Sequence, residues 1–389
     1  MRWFIAILFL FNHLLSRDVA ANAIQDRNLF ATELFQTIAA DKQHENVIIS
    51  PVAIQTALGL AYYGADGQTA TELQKSLHAQ SQSRSTIAKS YYKLLHSFVK
   101  PKTILEIANK IYAKDALVIE PEFRDAARKY FDSDAEQLDF TDEPKAVELI
   151  NDWLAKKTNG KIEHVLDSIE PDINVALVNA IYFKAKWARP FMDDETSDRP
   201  FWINDNESVN VSTMFADNWY NYADYEELDA KAIELFFENT DLRMWFILPN
   251  KRNGLNELEQ KLKGVDFNAL EKRWEWSSVT VNLPKFKFEF DTDLKPYLLK
   301  LGIRTMFTDE ADFSNMFHNS PISTRVSRVQ HKAFIDVNEI GCEAAAASVA
   351  VGVPMSLPWD PKTFIADHPF VFIIRDEHAI YFTGHIARF

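Results

Sequence analysis

The run Val175–Phe183 limits most strongly how this chain of 389 residues can fold. It is almost wholly apolar, whereas a strand with one face in water would alternate apolar and polar residues. Such a run predicts a central strand of a sheet that other elements cover on both faces. The chain must therefore place a sheet inside a large core, and 47% hydrophobic residues are ample for one.

The other apolar patterns predict helices in the first third of the chain and strands in the last half. Ser50-Pro51 is typical of a helix N-terminus, and Thr69-Ala70-Thr71-Glu72 predicts the capping box of a further helix. Residues 232–236 and 244–248 predict a hairpin, and Pro284 predicts an edge or a bend among alternating apolar residues. Since no regular strand–helix repeat and no low-complexity linker occur, we expect an α+β fold in a single domain.

Residues 1–23 have the pattern of a secretory signal peptide. A basic start precedes the apolar run Trp3–Phe11, and Ala21-Asn22-Ala23 fits a cleavage site of small residues. The alternatives are cleavage nearer Ser16 and a buried N-terminal helix. The run is too short for a permanent transmembrane helix, so we expect a secreted, extracellular protein whose domain comprises residues 24–389.

The net charge limits the classes of partner, and the cysteine content limits how the fold can be stabilised. The net charge of −14 argues against nucleic acid and against anionic membranes as partners. Cys342 is the single cysteine, so no internal disulfide forms and the core must stabilise the fold. Asn206-Glu207-Ser208 and Asn210-Val211-Ser212 are glycosylation sequons, and Asn206 is the stronger candidate because Asn210 lies in a strand-like stretch.

A long connection of small side chains lies near the C-terminal end. Glu339–Ser348 contains a glycine and an alanine run, and Val353–Pro358 places prolines around a Met-Ser pair. Strand-like runs flank the connection, Val326–Val337 before it and Pro369–Arg375 after it. Burial of an alanine side chain removes too little apolar area from water to offset the conformational entropy that the chain loses when it becomes ordered. Long connections of this kind are usually functional or disordered.

Motifs of catalysis and of cofactor binding are missing from the sequence. None of the ten glycines has serine two residues later, and no phosphate loop, dinucleotide fingerprint or His-Glu-x-x-His occurs. Glu343 beside Cys342 would raise the pKa of the thiol, the wrong direction for a nucleophile. We therefore expect neither an enzyme nor a metal or cofactor, with a Ser/His/Asp set assembled in space as the alternative.

Motifs spread over nearly the whole mature chain resemble, in order, those of the serpin family. They are Asn46-Val47-Ile48-Ile49-Ser50-Pro51, Gly64-Ala65-Asp66-Gly67-Gln68-Thr69, Asn151-Asp152-Trp153, Thr158-Asn159-Gly160-Lys161-Ile162, Leu177-Val178-Asn179-Ala180-Ile181-Tyr182-Phe183-Lys184, Pro284-Lys285-Phe286, Ala311-Asp312-Phe313-Ser314, His331-Lys332-Ala333, Asn338-Glu339 and Asp367-His368-Pro369-Phe370. Each motif alone is weak, but their common order makes chance implausible.

The resemblance implies both a fold and a mechanism. The fold has three β-sheets surrounded by about nine helices, with an exposed C-terminal reactive loop at about 339–362. A serine protease attacks this loop as a substrate, and the cut loop then inserts into the main sheet as a new strand. The bound protease is dragged along and distorted, so the inhibitor is consumed. The expected partner is therefore a serine protease, and we expect a monomer.

The same resemblance places the cut. The span from the hinge glutamate to the scissile bond is nearly fixed in serpins, and seventeen residues counted inclusively from Glu339 end at Met355. The predicted reactive bond is Met355–Ser356, which no proline follows directly, and Ser356–Leu357 is the neighbouring alternative. Unbranched, apolar Met355 suits elastase-like or chymotrypsin-like pockets, whereas trypsin-like proteases want a cation.

Strand alternation tests whether this loop can insert. In a strand, Cys342 and every second residue through Gly352 would share one face, and all are small and uncharged. Glu343 would fall on the other face. The predicted hinge comprises Glu339, Gly341, Cys342, Glu343, Ala344, Ala345, Ala346, Ala347 and Ser348. From Cys342 to Met355 an extended strand reaches roughly 45 Å.

Four further positions match serpin residues near the opening sheet. Ser50, Asn179 and His331 match the shutter, a hydrogen-bonded cluster beneath the sheet, and Trp187 matches the tryptophan where the loop first inserts. The chain departs from the family at Ala53, where a second shutter serine is common. It departs also at Ala185, Ile340 and Cys342, which stand where glycine, a polar residue, and threonine or serine are usual.

Two alternatives remain open. Glu343 and the following alanines are also good helix sequence, and a loop that does not insert would make a non-inhibitory, serpin-like binding or carrier protein. Basic residues around 84–102 resemble the heparin-binding helix of some serpins, although a solvated face is the commoner reason for such charges. They are Arg84, Lys89, Lys93, Lys100 and Lys102.

Overall fold

The structure is a computed structural model, and it describes residues 23–97, 104–170, 172–342 and 361–389. Nine α-helices lie within these residues: α1 (23–39), α2 (Pro51–Gly64), α3 (Gly67–Ser76), α4 (Arg84–His96), α5 (Pro121–Phe131), α6 (Glu143–Lys157), α7 (Leu255–Leu262), α8 (Phe267–Glu271) and α9 (Lys295–Lys300).

Seventeen strands lie within the same part of the chain. They are β1 (Val47–Ile49), β2 (Ile104–Lys114), β3 (Val118–Ile119), β4 (Asp134–Leu138), β5 (Val175–Lys186), β6 (Ser197–Trp202), β7 (Ser208–Tyr225), β8 (Ala230–Phe236), β9 (Arg243–Pro249), β10 (Glu275–Pro284), β11 (Phe286–Asp293), β12 (Phe317–His318), β13 (Val326–Asn338), β14 (Gly341–Cys342), β15 (Lys362–Ile365), β16 (Phe370–Arg375) and β17 (Ile380–Ile386).

The described strands form three sheets. The nine-stranded sheet has the order β1-β17-β16-β9-β8-β7-β10-β15, with β6 paired to β7. The six-stranded sheet has the order β11-β13-β14-β5-β2-β4, and the third sheet pairs β12 with β3. Lys285 separates β10 from β11, so the chain passes from one large sheet to the other at the predicted bend after Pro284. Mixed sheets with surrounding helices confirm the predicted α+β class.

Strand β5 lies in the middle of the six-stranded sheet, as its apolar run predicts. Leu177 and Ile181 belong to the larger hydrophobic core, which extends to the nine-stranded sheet. Their neighbours Val178 and Ala180 face a second core, which includes Ile150 on α6. Every residue from 175 to 183 is buried, because one face packs against the first core and the other against α6.

The beginning of α2 follows its sequence signals, whereas that of α3 does not. The Ser50 side chain caps α2 by accepting from the Ala53 N–H, with Pro51 as the first helical residue. The capping box predicted at Thr69–Glu72 is wrong, because α3 begins at Gly67 with Asp66 as its cap. The Glu72 carboxylate instead accepts hydrogen bonds from the backbone N–H groups of Arg304 and Thr305, each at 2.7 Å. It therefore binds a segment distant in sequence and does not cap its own helix.

Candidate functional site

The site begins where β5 and β13 part. These two parallel strands pair directly over Val175–Ile181 and Val326–Ala333. Beyond that stretch β14 lies between them, antiparallel to both. Cys342 pairs with Ala185 on β5 and with Val337 on β13. The first residues of the predicted loop hinge therefore occupy the upper end of the seam between the two central strands.

Only glycine fits at position 341. Its φ is +155°, a backbone conformation that side-chain-bearing residues rarely adopt. A Cβ added there would overlap the carbonyl oxygen of Ala185 and lie 2.7 Å from the Lys186 Cα. The turn from β13 into β14 thus depends on the missing side chain, which explains the glycine in the hinge.

Cys342 contributes its side chain to the core. It is 1% exposed and belongs to the larger hydrophobic core. Burial raises the pKa of the thiol well above its ordinary value, and the nearby Asp336 charge raises it further. The thiol is therefore neutral and shielded, a state in which cysteine acts as a small apolar side chain rather than a nucleophile.

Glu339 holds the start of the hinge in place. Its carboxylate lies 2.9 Å from the Lys285 ammonium and accepts a 2.8 Å hydrogen bond from the Thr196 hydroxyl. Its carbonyl accepts from the Phe191 N–H at 2.9 Å. Burial alone would raise the pKa of Glu339, but the bonds from Lys285 and Thr196 outweigh it and hold the pKa below its ordinary value. The carboxylate is therefore charged, and we name the trio Glu339, Lys285 and Thr196 the hinge latch.

Trp187 fixes the same segment from the side of β5. Its indole Nε1–H donates to the Asn338 carbonyl at 2.9 Å, and its backbone N–H donates to the Ile340 carbonyl at 2.8 Å. The ring stacks on Phe237 with centroids 4.6 Å apart and planes 11° from parallel. Trp187 is thus a rigid wall against which the hinge is bonded.

A polar cluster lies buried under the closed part of the seam; we name it the seam cluster, and it comprises Ser50, Asn109, Asn179 and His331. The His331 Nε2 accepts from the Ser50 backbone N–H at 3.2 Å, so the ring proton is on Nδ1, which donates to the side-chain Oδ1 of Asn179. The Asn179 amide in turn donates to the Asn109 side chain. These bonds tie β13, β5 and β2 to the start of α2.

Burial also sets the charge of this cluster. His331 is completely buried, and burial lowers its pKa to about 3. The ring is therefore neutral at physiological pH, which its acceptor role toward Ser50 requires. The Ser50 hydroxyl accepts a hydrogen bond from the Ala53 backbone N–H, where the family often has serine at position 53. His331 bonds to the backbone N–H of Ser50 rather than to its hydroxyl.

Several predicted site residues lie outside the described part of the chain or apart from the seam. Met355, Ser356 and the hinge residues 343–348 fall in 343–360, outside the described residues. Asn206 is exposed in the turn between β6 and β7, and Asn210 is exposed within β7.

The predicted basic cluster is only partly available on α4. Lys89 and Lys93 are exposed there, but Arg84 donates to the Ala65 carbonyl at 2.6 Å and so belongs to the fold. Lys100 and Lys102 lie outside the described residues. Two exposed lysines are a weak basis for a polyanion site.

Three residues of the site were not predicted from the sequence. Asn109 interrupts the apolar pattern of β2, a signal that a polar partner is buried nearby. Lys285 stands inside a recognised motif, but nothing local connects it to Glu339. Thr196 carries no signal at all. Within the described chain we find no group of side chains suited to hold a metal ion, and no helix there is long and apolar enough to span a membrane.

The comparisons with known proteins agree with this geometry. The family model described as Serpin (serine protease inhibitor) matches residues 25–389. The chain is 39% identical over 361 residues to Serine protease inhibitor 42Dd of Drosophila melanogaster, covering 91% of this chain and 94% of that protein. It is 34% identical over 376 residues to the leukocyte elastase inhibitor of Bos taurus, covering 92% and 97%.

A solved structure is similar over the same length. The crystal structure of Serpin48 from Tenebrio molitor matches with a TM-score of 0.87 at 33% identity, covering 95% of this chain and 98% of that one. The chain belongs to the serpin family, and its fold is the serpin fold. The resemblance drawn from the sequence motifs is therefore confirmed. Its relatives include proteins named as inhibitors of serine proteases.

Proposed function

We propose that this protein is a secreted suicide-substrate inhibitor of an elastase-like or chymotrypsin-like serine protease. The protease cuts Met355–Ser356, and the freed segment from Cys342 onward inserts between β5 and β13. The acyl-enzyme is carried along and trapped. One observation carries the proposal: β14 already lies antiparallel between these two strands, where such a strand would begin.

The register of the inserted strand is extended from the pairing of β14. Cys342 lies opposite Ala185 and Val337, so each step along the loop moves one step back along β5 and β13. Ala346 would then lie opposite Ile181 and Ala333. Those two residues already face each other across the closed seam, so one register satisfies both strands.

This register directs the small side chains into the larger core. Residues directly opposite in a sheet share a face, and Ile181, Ala333, Ala185 and Val337 all belong to the larger core. Alternate residues from Cys342 onward would join them without overpacking. Glu343 would lie opposite Lys184 and Asp336, both only half-buried, where a carboxylate can keep its water.

The same register brings the loop to the seam cluster. Ser348 would lie opposite Asn179 and His331, which are paired with each other across the closed seam. Insertion must separate that pair, and a serine hydroxyl can both donate and accept in its place. This supports a role for the seam cluster in holding the sheet closed until the loop is cut.

The sequence and one relative support the proposed protease class, and the sequence supports secretion of the protein. Met355 offers an unbranched apolar side chain, and the bovine relative is named as an inhibitor of an elastase. Secretion rests on residues 1–23, which have the signal-peptide pattern.

The test is a denaturing gel of the protein mixed with pancreatic elastase or chymotrypsin, with mass spectrometry of the released fragment. We expect a covalent complex that survives denaturation and a fragment beginning at Ser356. Clean cleavage without a complex, by every serine protease tried, would instead support the non-inhibitory binding or carrier protein.

A substitution on the inserting face separates trapping from cleavage. Ala346→Glu would place a charge in the larger core on insertion, so the loop should still be cut but the complex should fall at least tenfold. Trp359→Glu adds the same charge beyond the cut and should trap as the wild type does. Equal complex formation by both variants would contradict the register.

A further inference from the structure

A cavity beside the hinge is not used by the mechanism above. It has a volume of about 210 Å³ and lies where β5, β7, β8 and β10 come together. Its walls are mainly aromatic, and they include Trp187, Trp219, Tyr220, Phe236, Trp276 and one cation, Arg189. We call it the aromatic cavity.

The rings at its mouth face solvent. Trp276 is 49% exposed and Phe236 is 39% exposed, and both belong to the exposed large apolar residues of the described chain. Large apolar side chains exposed next to each other commonly mark binding surfaces. Exposed rings such as Trp276 and Phe236 favour a flat apolar ligand that can stack on them.

Arg189 gives the cavity its charge preference. Its Nη1 donates to the Trp219 carbonyl at 2.7 Å, and the guanidinium lies 5.0 Å from the Trp276 ring centre. None of the ion pairs found among the described residues includes Arg189. A guanidinium that its neighbours orient, and that lies in ion-pair distance of no carboxylate in the described chain, favours an anion.

The volume of the cavity limits the size of the ligand. An apolar cavity of about 150 Å³ holds one benzene molecule, so this one has room for one or two fused rings. We propose that the aromatic cavity binds a planar aromatic carboxylate of one or two rings. The rings stack among the tryptophans, and the carboxylate meets the Arg189 guanidinium.

The site is connected to the hinge through Trp187. The indole that lines the cavity also donates to Asn338, and its backbone N–H bonds to Ile340. A ligand that fills the cavity beside this indole stabilises the arrangement in which the hinge is bonded, so it should slow loop insertion. This consequence rests on the proposed function, whereas binding itself does not.

Calorimetry of the full protein with 2-naphthoate tests binding, with 2-naphthamide as the neutral probe of the same shape. We expect saturable binding of 2-naphthoate. Arg189→Met should weaken it at least tenfold and leave 2-naphthamide unchanged. Arg199→Met is the matched control, because Arg199 also lies over a ring, Phe215, at 5.5 Å but outside the cavity. Ala188→Phe, which fills the cavity, should abolish binding of both probes.

Failure of this proposal is distinct from failure of the proposed function. No saturable binding at millimolar 2-naphthoate, or equal affinity in Arg189→Met, overturns the site whether or not the protein inhibits proteases. If the site binds and the protein inhibits, 2-naphthoate should slow complex formation with elastase in the wild type but not in Ala188→Phe. An unchanged rate overturns the link to the hinge.

Discussion

Single residues fix the segment predicted to be the hinge and the closed part of the seam. Gly341 lets β14 approach β5 so closely that no side chain fits, and His331 stays neutral in a buried cluster where its Nε2 must accept. The role of Gly341 depends on the Cβ that it lacks. The role of His331 depends on a ring nitrogen, Nε2, that carries no proton. Both can be tested by a single substitution.

Acid should weaken the seam through His331. Its pKa is about 3 in the folded protein and about 6.5 when unfolded, so the unfolded chain binds the extra proton between these values. The stability that neutral His331 contributes is complete above pH 6.5 and is lost as the pH falls toward 3, by about 1.4 kcal/mol per unit. Thermal unfolding between pH 7 and 4 should show a shallower loss in His331→Gln than in the wild type. Exposed His96→Gln is the control, and identical slopes in all three proteins would refute the assignment.

Gly341→Ala should release β14 from the seam. The added methyl group overlaps the Ala185 carbonyl, so the hinge must move and expose Cys342. Cys342 is the only cysteine, so a thiol reagent reports this one site, and its reaction should speed up at least tenfold. Gly160→Ala is the matched control, since Gly160 also has a positive φ of 73° but a Cβ there meets nothing within 4 Å. A thiol in Gly341→Ala that reacts as slowly as in the wild type would mean that β14 stays in place.

Elements are joined at this site by contacts between residues far apart in sequence. The hinge latch links the end of β13 to the segments next to β10 and β6, and the seam cluster links α2 to three strands. Pairs of strands give the sheet its shape, and we expect these polar contacts to help hold β5 and β13 together.

Loss of the hinge latch should lower the stability of the end of the six-stranded sheet that contains β14. Lys285→Met leaves the mostly buried Glu339 carboxylate without its cation, at a cost of about 1–2 kcal/mol. The midpoint of thermal unfolding should therefore fall by about 1–3 °C, a small shift because a chain of this length has a large entropy of unfolding. Lys287→Met removes a similar pair with Asp336, but Lys287 is 67% exposed, so its midpoint should change by about 1 °C at most. Equal shifts in the two variants would show that the latch contributes no more than a surface pair.

The sequence predicts elements with local signals and misses contacts without them. The apolar run of β5, the cap of α2 and the hairpin β8–β9 depend on neighbouring residues, so their patterns suffice. Glu339 and Lys285 meet only after the chain has passed between two sheets. The capping box at Thr69–Glu72 failed for the same reason, since Glu72 bonds to backbone more than two hundred residues away. Order and spacing of motifs predicted the family, because they sample the whole chain at once.

At the scale of the whole molecule, the six-stranded sheet is incomplete in a specific way. Its two central strands are closed along most of their length and separated at one end by two residues of a longer segment. Every side chain that the segment would add to the larger core is small, and the proposed register would bring its serine to the seam cluster. We therefore expect the intact protein to be less stable than the form with the strand inserted.

The measurement that tests this claim most directly is thermal unfolding before and after a single cut at Met355–Ser356. If the loop inserts, the cleaved protein gains a full central strand, and its midpoint should rise by roughly 10 °C or more. The Ala346→Glu variant, cut at the same bond, should show a much smaller rise. An unchanged or lower midpoint in the cleaved wild type would contradict the account, because the loop would then be a substrate that never becomes part of the sheet.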